Sequence, residues 1–318
     1  MAIETDFVFE QKFALGMAKA ADLLGPLRGF IGHQHKRSWK GTGFNMIWRP
    51  NFGGQSGSKD FFLELNLTNE TLEFTDITGS GIANRGFLQK DVALGGLAYL
   101  QQIADRFDNT HQHFEPGVWA NVPATSNPNE IATVVRMGSI PHGTTINLQG
   151  KSLAAVAPQF ATSSITPFKN GSPDDGKTNL VHFPEETLAT PSTSRTALYQ
   201  VATLTQAQLT DPNLFLTQAI AGQNIVSTTV LIISSDTSAP GSLPNAGGGT
   251  DDIAFLTGVG APPAGGPNAN AVPVTAIFWI EKVRDDQGKE VDQIQYSQRV
   301  ILNFNGLSWP HVSVATLR

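Results

Sequence analysis

Three residues with ligand chemistry stand at alternate positions in His111-Gln-His113-Phe-Glu115. In an extended strand, side chains at i, i+2 and i+4 share one face. Two imidazoles and a carboxylate would then converge as a two-histidine, one-carboxylate site for a divalent metal, the centre of a metal-dependent enzyme. The competing reading is a polar strand face on which His113 and Glu115 hydrogen-bond inside a barrel or at its rim. A second candidate lies in Ser139-Ile-Pro-His142-Gly. Proline and glycine mark a strand break or bulge, where a side chain is re-aimed. His142 is therefore either a group held over a bound ligand or a turn histidine at the surface. The third is in Trp309-Pro-His311-Val-Ser-Val. Alternation puts His311 on the same face as Trp309, and its neutral imidazole is a metal ligand whose second nitrogen wants an acceptor. The plainer reading of His311 is a hydrogen-bonded core or rim residue. His33-Gln-His35-Lys-Arg37 reads as a solvated loop, and His182 belongs to no pattern.

Other chemistries are excluded by what is missing. The 318 residues contain no cysteine, which removes disulfides, thiolate metal sites, iron–sulfur clusters and thiol nucleophiles. No GxSxG, Walker-type, GxGxxG or HExxH motif is present, so common hydrolase, nucleotide and zinc-protease mechanisms lack support. A net charge of −6 without a basic cluster argues against nucleic acid as a partner. No apolar run approaches the ~20 residues of a membrane-spanning helix. The opening MAIETDFVFEQK lacks the basic-then-apolar order of a secretory signal, so a cytoplasmic location is expected.

The elements that must position these residues are mostly strands. Residues 4–30 begin with an apolar–polar mix and then read helical through Phe13, Met17, Ala21 and Leu24, and Gly25-Pro26 should stop that helix. From Trp39 the texture changes. Residues 61–68 alternate strictly, with Phe61, Leu63, Leu65 and Leu67 opposite Glu64, Asn66 and Thr68. Further strands are expected at 41–48, 72–77, 97–104, 111–122, 133–140, 144–150, 226–234, 274–283, 293–303 and 309–317. Short strands at this spacing, with 31 glycines and 19 prolines between and around them, predict an antiparallel sandwich or barrel. Residues 152–205 and 237–270 read as loops, separated by one helix that Asp211 caps, Pro212 opens and Gly222 ends. Neither group of strands suffices for a large barrel alone, so the chain is expected to be one domain. Its barrel strands fall mainly in 39–150 and 226–318, with a loop-rich insertion of about 152–272.

Several pieces, in order, resemble the nitrobindin family of haem-binding barrels, related in shape to lipocalins and fatty-acid-binding proteins. Residues 27–32 followed by Trp39-Lys-Gly-Thr-Gly43 resemble its leucine-rich opening and GxWxGxG-like start. Leu97-Ala-Tyr99-Leu-Gln101 and His113-Phe-Glu115-Pro-Gly117 resemble its next two elements, and His311 stands where its haem-ligating histidine stands. The resemblance covers about 24–150 and 274–318 and leaves the intervening stretch unmatched. It implies a roughly ten-stranded antiparallel closed barrel with a short N-terminal helix. It also implies haem b held by His311, with His142 as a distal group, Trp309 and Tyr99 near the cofactor, and Phe61 and Leu63 among the residues walling the porphyrin. Peroxynitrite, nitric oxide or peroxide would be the substrates of such a haem. Pro310 beside His311 departs from a regular ladder. The alternative is a carrier of a fatty acid or other small apolar ligand, with Arg136 or Gln101 holding a carboxylate. The insertion is a candidate cover for the mouth or a contact in a homo-oligomer.

Overall fold

The structure is a computed structural model, and it describes residues 23–54, 57–161, 163–236, 248–258 and 267–318. Most of the helix expected within 4–30 lies outside them. Gly25-Pro26 does not end the helical path. A 3-10 turn, Gly25–Leu27, runs directly into helix α1, Arg28–Ile31, and Gly32 at φ 59° ends it. Proline is tolerated there because first-turn amides have no helical partner to lose.

Ten long strands follow among the described residues. They are β1 (Lys36–Pro50), β2 (Phe61–Asp76), β3 (Val92–Asp105), β4 (His111–Val122), β5 (Thr133–Ile140), β6 (Thr144–Ala155), β7 (Asn224–Ser234), β8 (Asn270–Arg284), β9 (Glu290–Phe304) and β10 (Leu307–Leu317). Each pairs antiparallel with the next in the chain, and β10 returns to β1 from Gly41↔Leu317 to Ile47↔His311. The sheet is therefore a closed barrel, which leaves no sheet edge along these strands. The runs expected at 61–68 and 72–77 form one strand, β2, because nothing between them breaks its alternation.

Two apolar cores lie on opposite sides of one wall. The interior core takes Trp39, Phe74, Tyr99, Trp119, Phe278 and Tyr296 from the barrel, and Leu27, Phe30 and Ile31 from the helical segment. Phe30 stacks on Phe74 at 4.3 Å between ring centroids, and Trp39 Nε1–H donates to the Phe30 carbonyl. This closes one end of the barrel. The second core lies outside the wall, where residues 156–161 and 163–223 cover it. There Phe44, Met46, Trp48, Phe61, Leu63, Leu65, Val312 and Val314 pack against Ile165, Val201, Leu204, Leu209 and Leu216.

That outer core decides the alternation of β2. Its apolar stripe faces outward, and Glu64, Asn66, Thr68 and Glu70 take the inward parity shared with Ile47, Asn45, Gly43 and Gly41 of β1. Phe61 and Leu63 consequently wall the insertion, not the barrel interior. Within the insertion two short helices replace the one expected: α2, Gln206–Thr210, and α3, Leu214–Ala219. Thr205 accepts from Gln208 N–H and starts α2 early, so Asp211 falls at its C-terminal end. Pro212, with no N–H to donate, separates the two.

Candidate functional site

The barrel interior changes character toward the end opposite α1. Asn45, Gln101, Gln298 and Ser313 replace the aromatic layers, and together with His113, His142 and His311 they line a cavity of about 30 Å³. The three histidines come from three places far apart in sequence and are brought together by barrel closure.

His311 lies on β10 between Ile47 of β1 and Val300 of β9. Its Nε2 is 3.2 Å from Ser313 Oγ. Burial, then the neighbouring His113 and His142, push its pKa down to about 3, so it is neutral at physiological pH. His113 lies on β4 beside a register shift between Ile103 and Ala104 of β3, and its Nε2 is 3.4 Å from Glu115 Oε2. His142 occupies the turn between β5 and β6, largely exposed at the rim, with its ring centroid 5.8 Å from that of His113. Burial of its inner side and the proximity of His113 lower its pKa, while the Gln112 backbone carbonyl and Glu64 work against them.

Beneath the histidines runs a buried hydrogen-bonded network. Arg136 Nη2 donates to Glu115 Oε1 at 2.7 Å, and Nη1 to Gln298 Oε1 at 2.7 Å. Tyr99 Oη–H donates to Glu115 and accepts from Arg136 Nε. Burial pushes the Glu115 carboxyl up, but Arg136, His113 and Tyr99 together outweigh it and hold it down to about 2. Arg136 in turn is raised, because Glu115 and Tyr99 outweigh its own burial. Farther in, Tyr296 donates to Glu70 Oε2 at 2.5 Å and accepts from Gln101 Nε2 at 3.0 Å. Burial lifts Glu70 to about 7, against its hydrogen bonds from Tyr296 and Thr68.

The expected site residues divide sharply. His311 and His142 share the pocket, and His113 joins them. His111 is exposed at the start of β4 and lines no part of it, and Glu115 is engaged by Arg136 and Tyr99, so the His111, His113, Glu115 face does not converge. Among the described residues no group of three His, Asp or Glu side chains could hold a metal ion. Tyr99 sits one layer deeper, in the network. Trp309 lies in the outer core, stacked on Phe304 and Phe183, with Nε1–H donating to the Phe304 carbonyl. Alternation from His311 therefore does not carry Trp309 into the pocket, although the register between β9 and β10 is unbroken through both. Arg136 and Gln101, the candidate carboxylate anchors, bond to each other, Arg136 also to Glu115 and Gln101 also to Tyr296. Sequence reading missed Glu70, Gln298 and Tyr296. The signal for Glu70 was the polar stripe at 64, 66, 68 and 70, which marks a wet interior once that face is known to point inward.

Haem meets this site only in part. A neutral inward imidazole with a second histidine across from it suits an iron ligand. The space does not suit a porphyrin: drug-sized ligands occupy roughly 300–1,000 Å³, whereas the cavity of about 30 Å³ is the size of one water. The interior beyond it is filled by Trp39, Phe74, Trp119 and Phe278.

No protein-family model matches the chain, and no curated protein matches it. Among solved structures, the crystal structure of Rv2717c from M. tuberculosis aligns at 14% identity over 94% of this chain and 98% of that chain, with a TM-score of 0.35. The barrel assignment stands on the strand register itself. No helix among the described residues is long and apolar enough to cross a membrane.

Proposed function

We propose that this protein is a small-ligand-binding barrel whose site is the pocket formed by His113, His142 and His311, with His311 presenting a neutral imidazole to the bound molecule. One observation carries the reading: barrel closure aims three imidazoles from separate strands and turns into one small void. An apolar carrier is less well supported, because the apolar half of the interior is packed with side chains.

Haem b is the second reading, favoured by the placement of His311 opposite His142 and by the resemblance to nitrobindins. It requires the pocket lining to move apart, and any action on peroxynitrite, nitric oxide or peroxide follows only with haem in place. Adding hemin to the protein and to His311→Ala separates the two readings. A Soret band shifted from free hemin and lost in the variant favours haem; an unshifted band removes it.

The pocket itself is tested by following the imidazole resonances of all seven histidines while imidazole, azide, zinc ion and hemin are added in turn. The expected result is perturbation of His113, His142 and His311 without movement of His33, His35, His111 or His182. A panel that leaves the three unmoved overturns the reading.

A further inference from the structure

We propose that the ligand of this pocket is a small molecule that accepts a hydrogen bond from the Tyr296 hydroxyl, and that a proton taken up by Glu70 frees that hydroxyl for it; this rests on the pocket being the binding site.

A chain of hydrogen bonds ties the pocket wall to a buried carboxyl. Tyr296 and Gln101 both line the void. The Tyr296 ring stacks on Phe278 in the aromatic core, which leaves its hydroxyl end at the polar cavity. That hydroxyl donates to Glu70 Oε2 at 2.5 Å and accepts from Gln101 Nε2 at 3.0 Å. Gln101 is held this way round by Arg136, whose Nη2 lies 3.3 Å from its Oε1. Glu70 Oε1 accepts from Thr68 Oγ1–H at 2.8 Å. A carboxylate has acceptors only, so while Glu70 is ionised the Tyr296 proton is committed to it and none is left for a ligand.

A proton on Oε2 reverses the bond between Glu70 and Tyr296. The carboxyl O–H then donates to the Tyr296 oxygen, which already receives Gln101 Nε2–H, and the Tyr296 O–H must turn elsewhere. Gln101 does not take it, because Arg136 occupies its oxygen and its nitrogen faces Tyr296. The void is the place left, and at about 30 Å³ it has room for only a few heavy atoms. Burial sets the working range. It lifts Glu70 to about 7 against hydrogen bonds from Tyr296, Thr68 and Gln101. Burial first, and then Glu70, keep the Tyr296 phenol protonated throughout. Facing Glu70 are Thr68 on its own strand, Gly43 of β1, Gln101 of β3 and Tyr296 of β9. Tyr296 is the titratable group among them, and Arg136 acts on it from β5. Loss of the Glu70 charge beneath the pocket favours an anionic acceptor in the same sense.

The test labels tyrosine Cζ with carbon-13 in the full-length protein and follows it from pH 5 to 9. The three tyrosines give three resonances, and Tyr296→Phe assigns the one that matters. That resonance should step near pH 7 in the parent and lose the step in Glu70→Gln. It should keep the step in Glu281→Gln, whose carboxyl is bonded to Gln293 outside the network. Azide is the probe for the site. The parent should bind it about 5-fold more tightly at pH 6 than at pH 8, the scale of one hydrogen bond to a charged group, beyond any slope that Glu70→Gln retains. Tyr296→Phe should lose the same preference, which keeps the test in force should Glu70→Gln fold poorly. A Tyr296 resonance flat across the range, a step that survives Glu70→Gln, or azide that binds at neither pH or with one pH profile in all three proteins overturns the proposal. If azide shifts the pocket imidazoles but not Tyr296, the donor is overturned and the pocket stands; if the whole panel of probes leaves the imidazoles unmoved, both fall.

Discussion

Arg136 Nη2 lies 2.7 Å from Glu115 Oε1 inside the barrel, with both side chains removed from solvent. The two strands that carry them are neighbours, with Trp119↔Arg136 in register. A buried ion pair adds little net stability, yet removing one partner leaves an uncompensated charge that costs about 3–5 kcal/mol. Arg136→Met should therefore lower unfolding stability by that amount. The double variant with Glu115→Gln should recover a good part of it. Denaturant titration of the three variants checks this, and equal losses in the single and double variants would contradict it.

Tyr99 and Glu115 fit only because two glycines leave room. A Cβ on Gly138 would overlap Tyr99 Oη and come 2.7 Å from Glu115 Oε1, and one on Gly117 would press on the Tyr99 ring. Gly138→Ala should destabilise by about 1–3 kcal/mol, the usual cost of overpacking. Tyr99→Phe in the same chain removes the clashing hydroxyl and should return part of that loss. A double-mutant cycle measures the coupling. Additive effects would mean the two positions do not touch.

Trp309 belongs to the joint between wall and insertion, not to the pocket. Its indole packs among Trp48, Phe61, Phe183 and Phe304. Trp309→Ala should cost about 3–5 kcal/mol and loosen residues 156–161 and 163–223 from the barrel. Limited proteolysis should then cut within that stretch before the strands. The histidine resonances of the pocket should stay as in the parent protein.

These residues show why the fold was easier to read than the site. Period-two alternation and turn residues announce strands wherever they pair, and their spacing predicted a sandwich or barrel, while closure was what the resemblance implied. Which face turned inward was not readable, because an apolar stripe such as Phe61, Leu63 and Leu65 looks the same against an interior as against an insertion. The insertion inverted the wall there and left Glu64, Asn66, Thr68 and Glu70 inside. His311 and His142 were legible as single residues with an unusual setting. His113 was legible beside Glu115, its neighbour in the structure, but not with His142 and His311, whose approach depends on closure. The register shift opposite His111 and His113 separated the pair that spacing alone put together.

His311 and Glu70 pull the pH dependence of stability in opposite directions. Burial holds the His311 imidazole at about 3, below its ordinary 6.5. As pH falls below 6.5 the unfolded chain takes up a proton that the folded chain refuses, so stability is lost between about 6.5 and 3. Burial lifts Glu70 from 4.5 to about 7. The folded chain then keeps a proton that the unfolded chain gives up. This contribution is fully present below 4.5 and is lost as pH rises through 7. Glu281, raised to about 7 by burial, acts in the same sense, whereas Glu115, held at about 2, adds stability above 4.5 that disappears toward 2. His311→Gln should flatten the acid loss between 6.5 and 3. Glu70→Gln keeps an acceptor for Tyr296 without a charge, so it should be more stable than the parent at pH 8, by about 2–3 kcal/mol, and nearly equal to it at pH 4.5. Urea unfolding at pH 4.5, 5.5, 7 and 8 reads both effects, and variants whose profiles run parallel to the parent would remove these two groups as the cause.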